Sequence, residues 1–379
     1  MRYIVTNFAY GYGPFIRTTE LALALNTEMV ALGKEPYRIL VPWVYGEKQK
    51  RIMLEEFVAH ADTIVLDETL GAILKNVFYA DTTYEEALRA FVQDYERVSL
   101  LAHTYLLGNI HAQTLSGLPV ELCGGDVQLE LARAPRISYN VAPVYGATFG
   151  HISEILEETL HTSEEIISAD RTLVAAALPI AKKLERAQQL VGLATPGTFS
   201  YKTTRIPQQN EIAIPPTITT PTPYGGPVLT DGIYVTITGI PGLERLYAEA
   251  RALGLMLYTN DPERLPGSTQ LSPHAVGCEN ISLHFARSGW GSVWESMLQG
   301  KAIVVPEFDP TDDPEIYFNN ACIEKLGIGV VYRGEPLSEL LQKVKELEGG
   351  IQERNANLLK EFGTSDGNEY FAKKIAAVL

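Results

Sequence analysis

The sequence is short of cysteine, of basic residues relative to acidic ones, and of long apolar runs. Its three cysteines, Cys123, Cys278 and Cys322, are too far apart for a paired metal-ligand motif and odd in number. That argues against a zinc site or a disulfide framework and for a reducing compartment. Lysine and arginine number 31 against 46 aspartates and glutamates, a formal charge of −15. Surfaces that track phosphates need a cationic surplus, so the balance argues against nucleic acid or an anionic membrane as a partner. The longest apolar stretch, 173–181, contains Pro179 and falls well short of the roughly 20 residues that span a bilayer. Asn7 interrupts the opening apolar run too early for a secretory signal core, and the expected location is the cytoplasm.

What is present is a globular composition, 46% hydrophobic over 379 residues, long enough for two domains. Residues 3–8 are β-branched and aromatic and run into Tyr10-Gly11-Tyr12-Gly13-Pro14, after which Leu21, Leu25, Met29 and Leu32 recur at helical spacing up to Gly33. With a second strand at 37–44 this reads as a βαβ unit with the usual right-handed crossover. A third strand is expected at 63–66. A long helix opens near Thr83, where Thr83 and Glu86 form a capping-box pattern, and further strands are expected at 119–122 and 136–141. Residues 195–227 hold seven prolines and no helical period, which marks an interdomain linker. The opening logic then repeats. A strand at 233–238, the turn Gly239-Ile240-Pro241, a helix carrying Leu243, Leu246, Ala250 and Leu253, and a strand at 255–258 make a second Rossmann-like half. Later strands are expected at 281–285 and 303–305, with helices near 291–299, 337–347 and 368–379.

In open α/β sheets ligands bind beyond the carboxyl ends of the strands, where turns bring backbone N–H groups and helix N-termini toward anions. Gly11 and Gly13 in the first loop, and Thr238 and Gly239 in the second, are candidates for such a lining; neither loop is a full GxGxxG, and tight-turn glycines would read the same way. The richest segment is His284-Phe285-Ala286-Arg287-Ser288-Gly289-Trp290-Gly291-Ser292-Val293-Trp294-Glu295. Arg287, Ser288, Gly289, Trp290, Gly291 and Ser292 would offer one diphosphate a guanidinium, hydroxyls and amide donors at a helix start. Glu295, one turn beyond Ser292, suits vicinal ribose hydroxyls, or else is a first-turn acid or an ion-pair partner of Arg287.

Arg287-Ser288-Gly289, then Val293, Glu295, Gly300, Pro306 and Asp313-Pro314-Glu315-Ile316-Tyr317-Phe318-Asn319, resemble the C-terminal donor-binding domain of GT-B glycosyltransferases. The closest likeness is to glycosyltransferase family 28, the type of the peptidoglycan N-acetylglucosaminyltransferase and the galactolipid synthases. A more distant one is to the plant-type UDP-glycosyltransferases. The likeness covers roughly residues 233–332, and loosely 1–33. It implies an α/β fold of two Rossmann-like domains facing across a cleft, with an N-terminal acceptor-side domain over 1–210, a linker at 211–228, a donor-binding domain over 229–365, and a C-terminal helix at 366–379 that could pack back on the first domain. It also implies a nucleotide-sugar co-substrate, most often UDP-linked, with no separate cofactor. Residues matching Arg287 to Ser292 would surround the diphosphate, Glu295 the ribose, and Asp313 and Glu315 the sugar hydroxyls. Related enzymes carry Asp-Gln or Gln-Gln where this chain has Glu315-Ile316, so the sugar is left open.

Inverting members keep a His in the first glycine loop as general base, and this chain has none there. A substitute is expected on another strand-end loop of the first domain, within reach of an acceptor hydroxyl: Asp126, after Cys123-Gly124-Gly125, or His151, after Phe149-Gly150, with His111 a weaker third. Retaining members carry two glutamates eight positions apart, but the position eight before Glu295 is Arg287, which favours inversion. No metal is expected, Asp309, Asp312 and Asp313 reading as an acidic loop. The resulting expectation is an inverting transferase acting on a small-molecule or lipid-like hydroxyl. A UDP-sugar epimerase of the same fold, or a non-catalytic nucleotide-sugar binding protein, are the alternatives.

Overall fold

The structure, a computed structural model, describes residues 2–8, 11–75, 77, 82–236 and 243–379, with the backbone alone of Tyr12. It divides into two compact units: Met1–Thr195 with Ile206–Thr217 and Gly367–Leu379, and Pro196–Arg205 with Ile218–Asp366.

The first unit opens with β1 (Tyr3–Phe8), buried along its whole length, and α1 (Tyr12–Ala31). Leu21, Leu25 and Met29 fall on the buried stripe of α1, and Gly33 at φ +71° turns the chain out of it. The Asn26 side chain then clips the helix to the next strand, donating to the Tyr37 carbonyl at 2.7 Å and accepting from its N–H at 2.8 Å. There follow β2 (Arg38–Pro42), α2 (Gly46–Phe57), β3 (Ile64–Asp67), α3 (Glu68–Leu74) and α4 (Tyr84–Leu106). α4 is opened by the Thr83 and Glu86 capping box. The unit continues with β4 (Asn109–Thr114), β5 (Pro119–Cys123), β6 (Val127–Arg133), β7 (Val144–Thr148), α5 (Ile152–His161), α6 (Arg171–Arg186), β8 (Leu190–Ala194) and β9 (Glu211–Ile214). Among the described residues the sheet order is β5-β4-β3-β2-β1-β6-β7-β8-β9. β1, β2, β3, β6, β7, β8 and β9 pair in parallel, whereas β4 and β5 form an antiparallel hairpin.

The second unit carries β10 (Gly232–Val235), α7 (Glu244–Ala252), β11 (Met256–Thr259), β12 (Thr269–Gln270), β13 (Ile281–Phe285), α8 (Trp290–Leu298), β14 (Ile303–Pro306), α9 (Pro314–Leu326), β15 (Gly329–Tyr332) and α10 (Leu337–Phe362). Its strands are all parallel, in the order β12-β11-β10-β13-β14-β15. The last helix, α11 (Gly367–Ala376), belongs to the first unit and packs on α1.

Three local expectations change. The segment 136–141 is not a strand: Asn140 sits at φ +53°, and the neighbouring core strand is β6, whose central Glu130 disguises an otherwise buried run. Part of the proline-rich stretch, Glu211–Ile214, is a strand of the first sheet. Pro179 does not break α6, because it and Ala175 lie on the exposed side, where water can take the carbonyl the proline leaves unbonded.

Candidate functional site

Both sheets run backwards through their first three strands and then forwards, the order reversing between β1 and β6 in the first unit and between β10 and β13 in the second. Ligands in such sheets bind outside the carboxyl ends at that reversal. In the second unit β13 ends there. Ile281, Phe285 and Ala286 are buried, the Ala286 N–H is held by the Val304 carbonyl at 3.0 Å, and the chain turns through Arg287 and Ser288 into α8. Gly289 is the N-cap and, among the described residues, no side chain caps the helix, so the amides ahead of Ser292, whose own N–H bonds the Gly289 carbonyl at 3.0 Å, lie at the positive end of the helix dipole. A Cβ on Gly289 would meet nothing within 4 Å, so there is open room beside those amides. Ser292 lies in the same first turn, half-buried.

Arg287 is already engaged. Its Nη2 lies 2.5 Å from Asp312 Oδ1 and its Nε 3.2 Å from Asp312 Oδ2. Burial lowers its pKa, but Asp312, Asp313 and Glu315 together overcome that and raise it, so the guanidinium is a fixed cation. Carboxylates therefore outnumber it locally, and an anionic ligand at this point would have to compete with Asp312 for Arg287. Asp313 is the N-cap of α9, accepting from the Glu315 N–H at 3.0 Å, and Glu315 accepts from Asn319 Nδ2 at 3.1 Å. The two acids expected to reach sugar hydroxyls thus lie on the first turn of α9, on the same side as Arg287.

The Trp290 side chain is committed within the unit. Its ring is buried and its indole N–H donates to Asn319 Oδ1 at 2.8 Å and to Thr198 Oγ1 at 3.1 Å, so only its backbone amide can serve a ligand. Asn319 also donates to the Ser288 carbonyl at 2.9 Å. This one amide fastens the β13 loop to α9, and its i, i+4 spacing from Glu315 was the signal available in the sequence.

Glu295 projects from α8 one turn beyond Ser292 and is mostly buried. Gln299 Nε2 donates to its Oε1 at 2.8 Å, and His274 Nδ1 lies 3.6 Å from the same oxygen. Gln299 in turn accepts from the Gly277 N–H at 2.7 Å, tying α8 to the short 3-10 helix Pro273–Gly277. His274 is thus a neighbour of the candidate ribose carboxylate.

The first unit holds Gly11, Gly13, Asp126, His111 and His151. Gly11 stands at φ +106°, a conformation that glycine adopts readily, and its N–H donates to the Tyr45 hydroxyl at 2.7 Å; Gly13 is exposed in the first turn of α1. Thr238 and Gly239 lie outside the described residues. Asp126 is at the wrong edge of the sheet. It precedes β6, its carbonyl accepts from the Tyr3 N–H at 2.8 Å at the amino end of β1, and its carboxylate accepts from the Cys123 N–H at 2.8 Å as a turn lock. The antiparallel hairpin, invisible as such in the sequence, reverses the edge on which that loop emerges. His111 sits on the same hairpin, paired across it with Glu121. His151 does follow a carboxyl end, that of β7, as the N-cap residue of α5. It is 2% exposed, with Nε2 at 2.9 Å from Glu211 Oε2 and Nδ1 at 3.9 Å from Glu185 Oε2. Both ring nitrogens face buried carboxylates, so in this arrangement His151 is a clasp between α5, α6 and β9 and does not open toward an acceptor.

No protein-family model and no curated protein sequence matches the chain. Solved structures do. A UDP-glucosyltransferase from Polygonum tinctorium capable of glucosylating indoxyl aligns over 100% of this chain and 98% of its own at 14% identity, with a TM-score of 0.62. Phytolacca americana UGT2, complexed with UDP-2fluoro-glucose and pterostilbene, aligns over 100% of both chains at 10% identity, with a TM-score of 0.61. The glycotransferase of kitacinnamycin aligns over 99% of this chain and 98% of its own at 13% identity, with a TM-score of 0.57. Matches of this length establish the fold: two α/β units built on largely parallel sheets, as in these glycosyltransferase structures.

Proposed function

We propose that the chain is a glycosyltransferase that takes a sugar from a UDP-linked donor and transfers it, with inversion, to a hydroxyl of a small-molecule acceptor. The observation that carries this reading is the β13 to α8 junction, where uncapped helix amides, Arg287, Ser292 and, one turn on, Glu295 follow the carboxyl end of a switch-point strand. That order matches a diphosphate followed by a ribose. The UDP-2fluoro-glucose bound in one of the similar structures supports a UDP donor; the motif likeness to family 28 supports the same donor class.

In the proposed reaction the acceptor oxygen attacks the anomeric carbon as the bond from that carbon to the diphosphate oxygen breaks. The electron pair leaves on the diphosphate, and the acceptor proton passes to a base on the acceptor side. Charge develops on the leaving group, so the first-turn amides of α8 and the Arg287 guanidinium supply the main stabilisation. Glu295 fixes the ribose and Asp313 and Glu315 orient the sugar. Neither Asp126 nor His151 is assigned the base.

Calorimetric titration with UDP and UDP-glucose tests the donor site. Binding in the wild type and at least 10-fold weaker binding in Glu295→Ala, with unchanged thermal unfolding, is the expected result, and equal affinity in the variant removes the ribose assignment. Release of UDP in the presence of hydroxylated acceptors, with the anomeric configuration of the product read by NMR, separates transfer from epimerisation and from binding alone.

A further inference from the structure

His284 lies in the middle of the second sheet, on β13, and is 1% exposed. Its Nε2 is 2.8 Å from Thr236 Oγ1 at the carboxyl end of β10, and its Nδ1 is hydrogen-bonded to Ser296 Oγ on α8. The Tyr234 ring meets it edge-on with centroids 5.6 Å apart, and the Tyr234 hydroxyl donates to the Leu271 carbonyl at 2.9 Å. Ser296 is the residue after Glu295, and Thr236 is bonded through its N–H to the Phe285 carbonyl at 2.9 Å. One imidazole therefore spans the three elements that meet at the switch point.

Neutral imidazole has one donor and one acceptor nitrogen, whereas each hydroxyl can play either part. The chain Thr236, His284, Ser296 is consequently a continuous hydrogen-bonded line with a single sense, and it has no spare proton or lone pair at its centre. Among the described residues no side chain caps the N-terminus of α8; Trp290 bonds Asn319 and Thr198, Trp294 Nε1 donates to the Pro196 carbonyl at 2.8 Å, and Ser296 joins the helix, through His284, to β13 and the end of β10.

We propose that His284 is a positioning residue for the donor site, setting the seating of α8, and with it the direction of Glu295, against the end of β10. This rests on the proposed reading of the β13 to α8 junction as a nucleotide site, but its structural half stands alone. Asparagine reproduces the reach of Nδ1 and glutamine that of Nε2, so the two halves of the bridge can be cut separately. His284→Asn keeps the tie to Ser296; His284→Gln keeps the tie to Thr236; His284→Phe fills the space and keeps neither.

The experiment measures amide hydrogen exchange along α8 and at the end of β10 in the three variants and the wild type, and the dissociation constant of UDP in each. The expected outcome is faster α8 exchange in His284→Gln and His284→Phe but not in His284→Asn. UDP binding should weaken about 10-fold in the first two and stay within about 2-fold in His284→Asn. A uniform increase in exchange through the whole unit, identical behaviour of the Asn and Gln variants, or wild-type exchange and affinity in His284→Phe would each overturn the proposal. Exchange that follows the expected pattern in a protein whose wild type binds no UDP would uphold the seating role and overturn the nucleotide reading.

Discussion

The two sheets bury an ionisable side chain at the same topological place, on the strand that follows the switch point: Glu130 on β6, paired in register with Val5 of β1, and His284 on β13, paired with Tyr234 of β10. Their treatment differs. Glu130 accepts one hydrogen bond, from Asn7 Nδ2 at 2.7 Å, while its Oε2 and the Asn7 Oδ1 have no hydrogen-bond partner among the described residues. His284 has both nitrogens bonded. Burial pushes the Glu130 carboxyl up to about 8, only partly offset by the Asn7 bond, and pushes His284 down to about 3. Each group is thus held neutral at pH 7, one by keeping its proton and one by refusing it. The lesson is that the same low-dielectric position yields a connector when every polar atom is satisfied and a strained spot when half of them are not.

The largest expected effect comes from removing the acid. Below pH 4.5 Glu130 is neutral in both folded and unfolded chains. As pH rises toward 8 only the unfolded chain releases the proton, so stability of the first unit falls, by roughly 3 kcal/mol at pH 7. Glu130→Gln should abolish that slope and leave the unit more stable at pH 8, since the new amide can donate to Asn7 Oδ1. Urea unfolding followed by exchange at β6 amides at pH 5, 7 and 8 checks it, and an unchanged slope would refute it. The second unit should respond in the opposite sense. Between pH 6.5 and about 3 the unfolded His284 gains a proton that the folded one does not, so stability falls on acidification, by roughly 2 to 3 kcal/mol at pH 4.5. His284→Phe should flatten that limb in the exchange of β13 amides, and persistence of the limb would show that another group causes it. Ser296→Ala leaves a buried ring nitrogen unpaired and should cost about 2 kcal/mol, measured by denaturant midpoint. Thr236→Val should cost about 1 kcal/mol or less, because Thr236 is half-buried and water can replace its hydroxyl. A reversal of those last two magnitudes would mean that the β10 end, not α8, is the side His284 secures.

The same contrast explains what could be read from the residues. The second unit was legible: Ile281–Phe285 is a strand buried at every position but the half-buried Ser282, Gly289 and Gly291 announce the turn, and Trp290–Leu298 follows as a helix. The central strand of the first unit was not, because Glu130 and Arg133 make β6 look half solvated although both are buried. The expected strand was then displaced to 136–141, where Ile137 and Tyr139 are buried without a ladder. Asp126 was misplaced because a strand-glycine-acid pattern carries no sign of which edge the strand points to; that depends on β4 and β5 being a hairpin. The place of the Trp290 ring, which seals Thr198 and Asn319 beneath the loop, could not be read from sequence spacing. The pairing of Arg287 with Asp312, 25 residues apart, left no local pattern at all.

The chain enters the second unit for Pro196–Arg205, returns for Ile206–Thr217, crosses again for Ile218–Asp366, and closes the first unit with Gly367–Leu379. On a ribosome this inverts the customary order in which an amino-terminal domain is finished first. The first sheet can assemble early, but the side of α1 that α11 covers, and the β8 and β9 flank it touches, stay open until the final helix has been made. The second unit, by then complete in sequence, can fold while its predecessor waits. Nascent chains arrested before residue 367 should therefore expose the apolar flank of α1 to chaperones, and synthesis of α11 is what covers it.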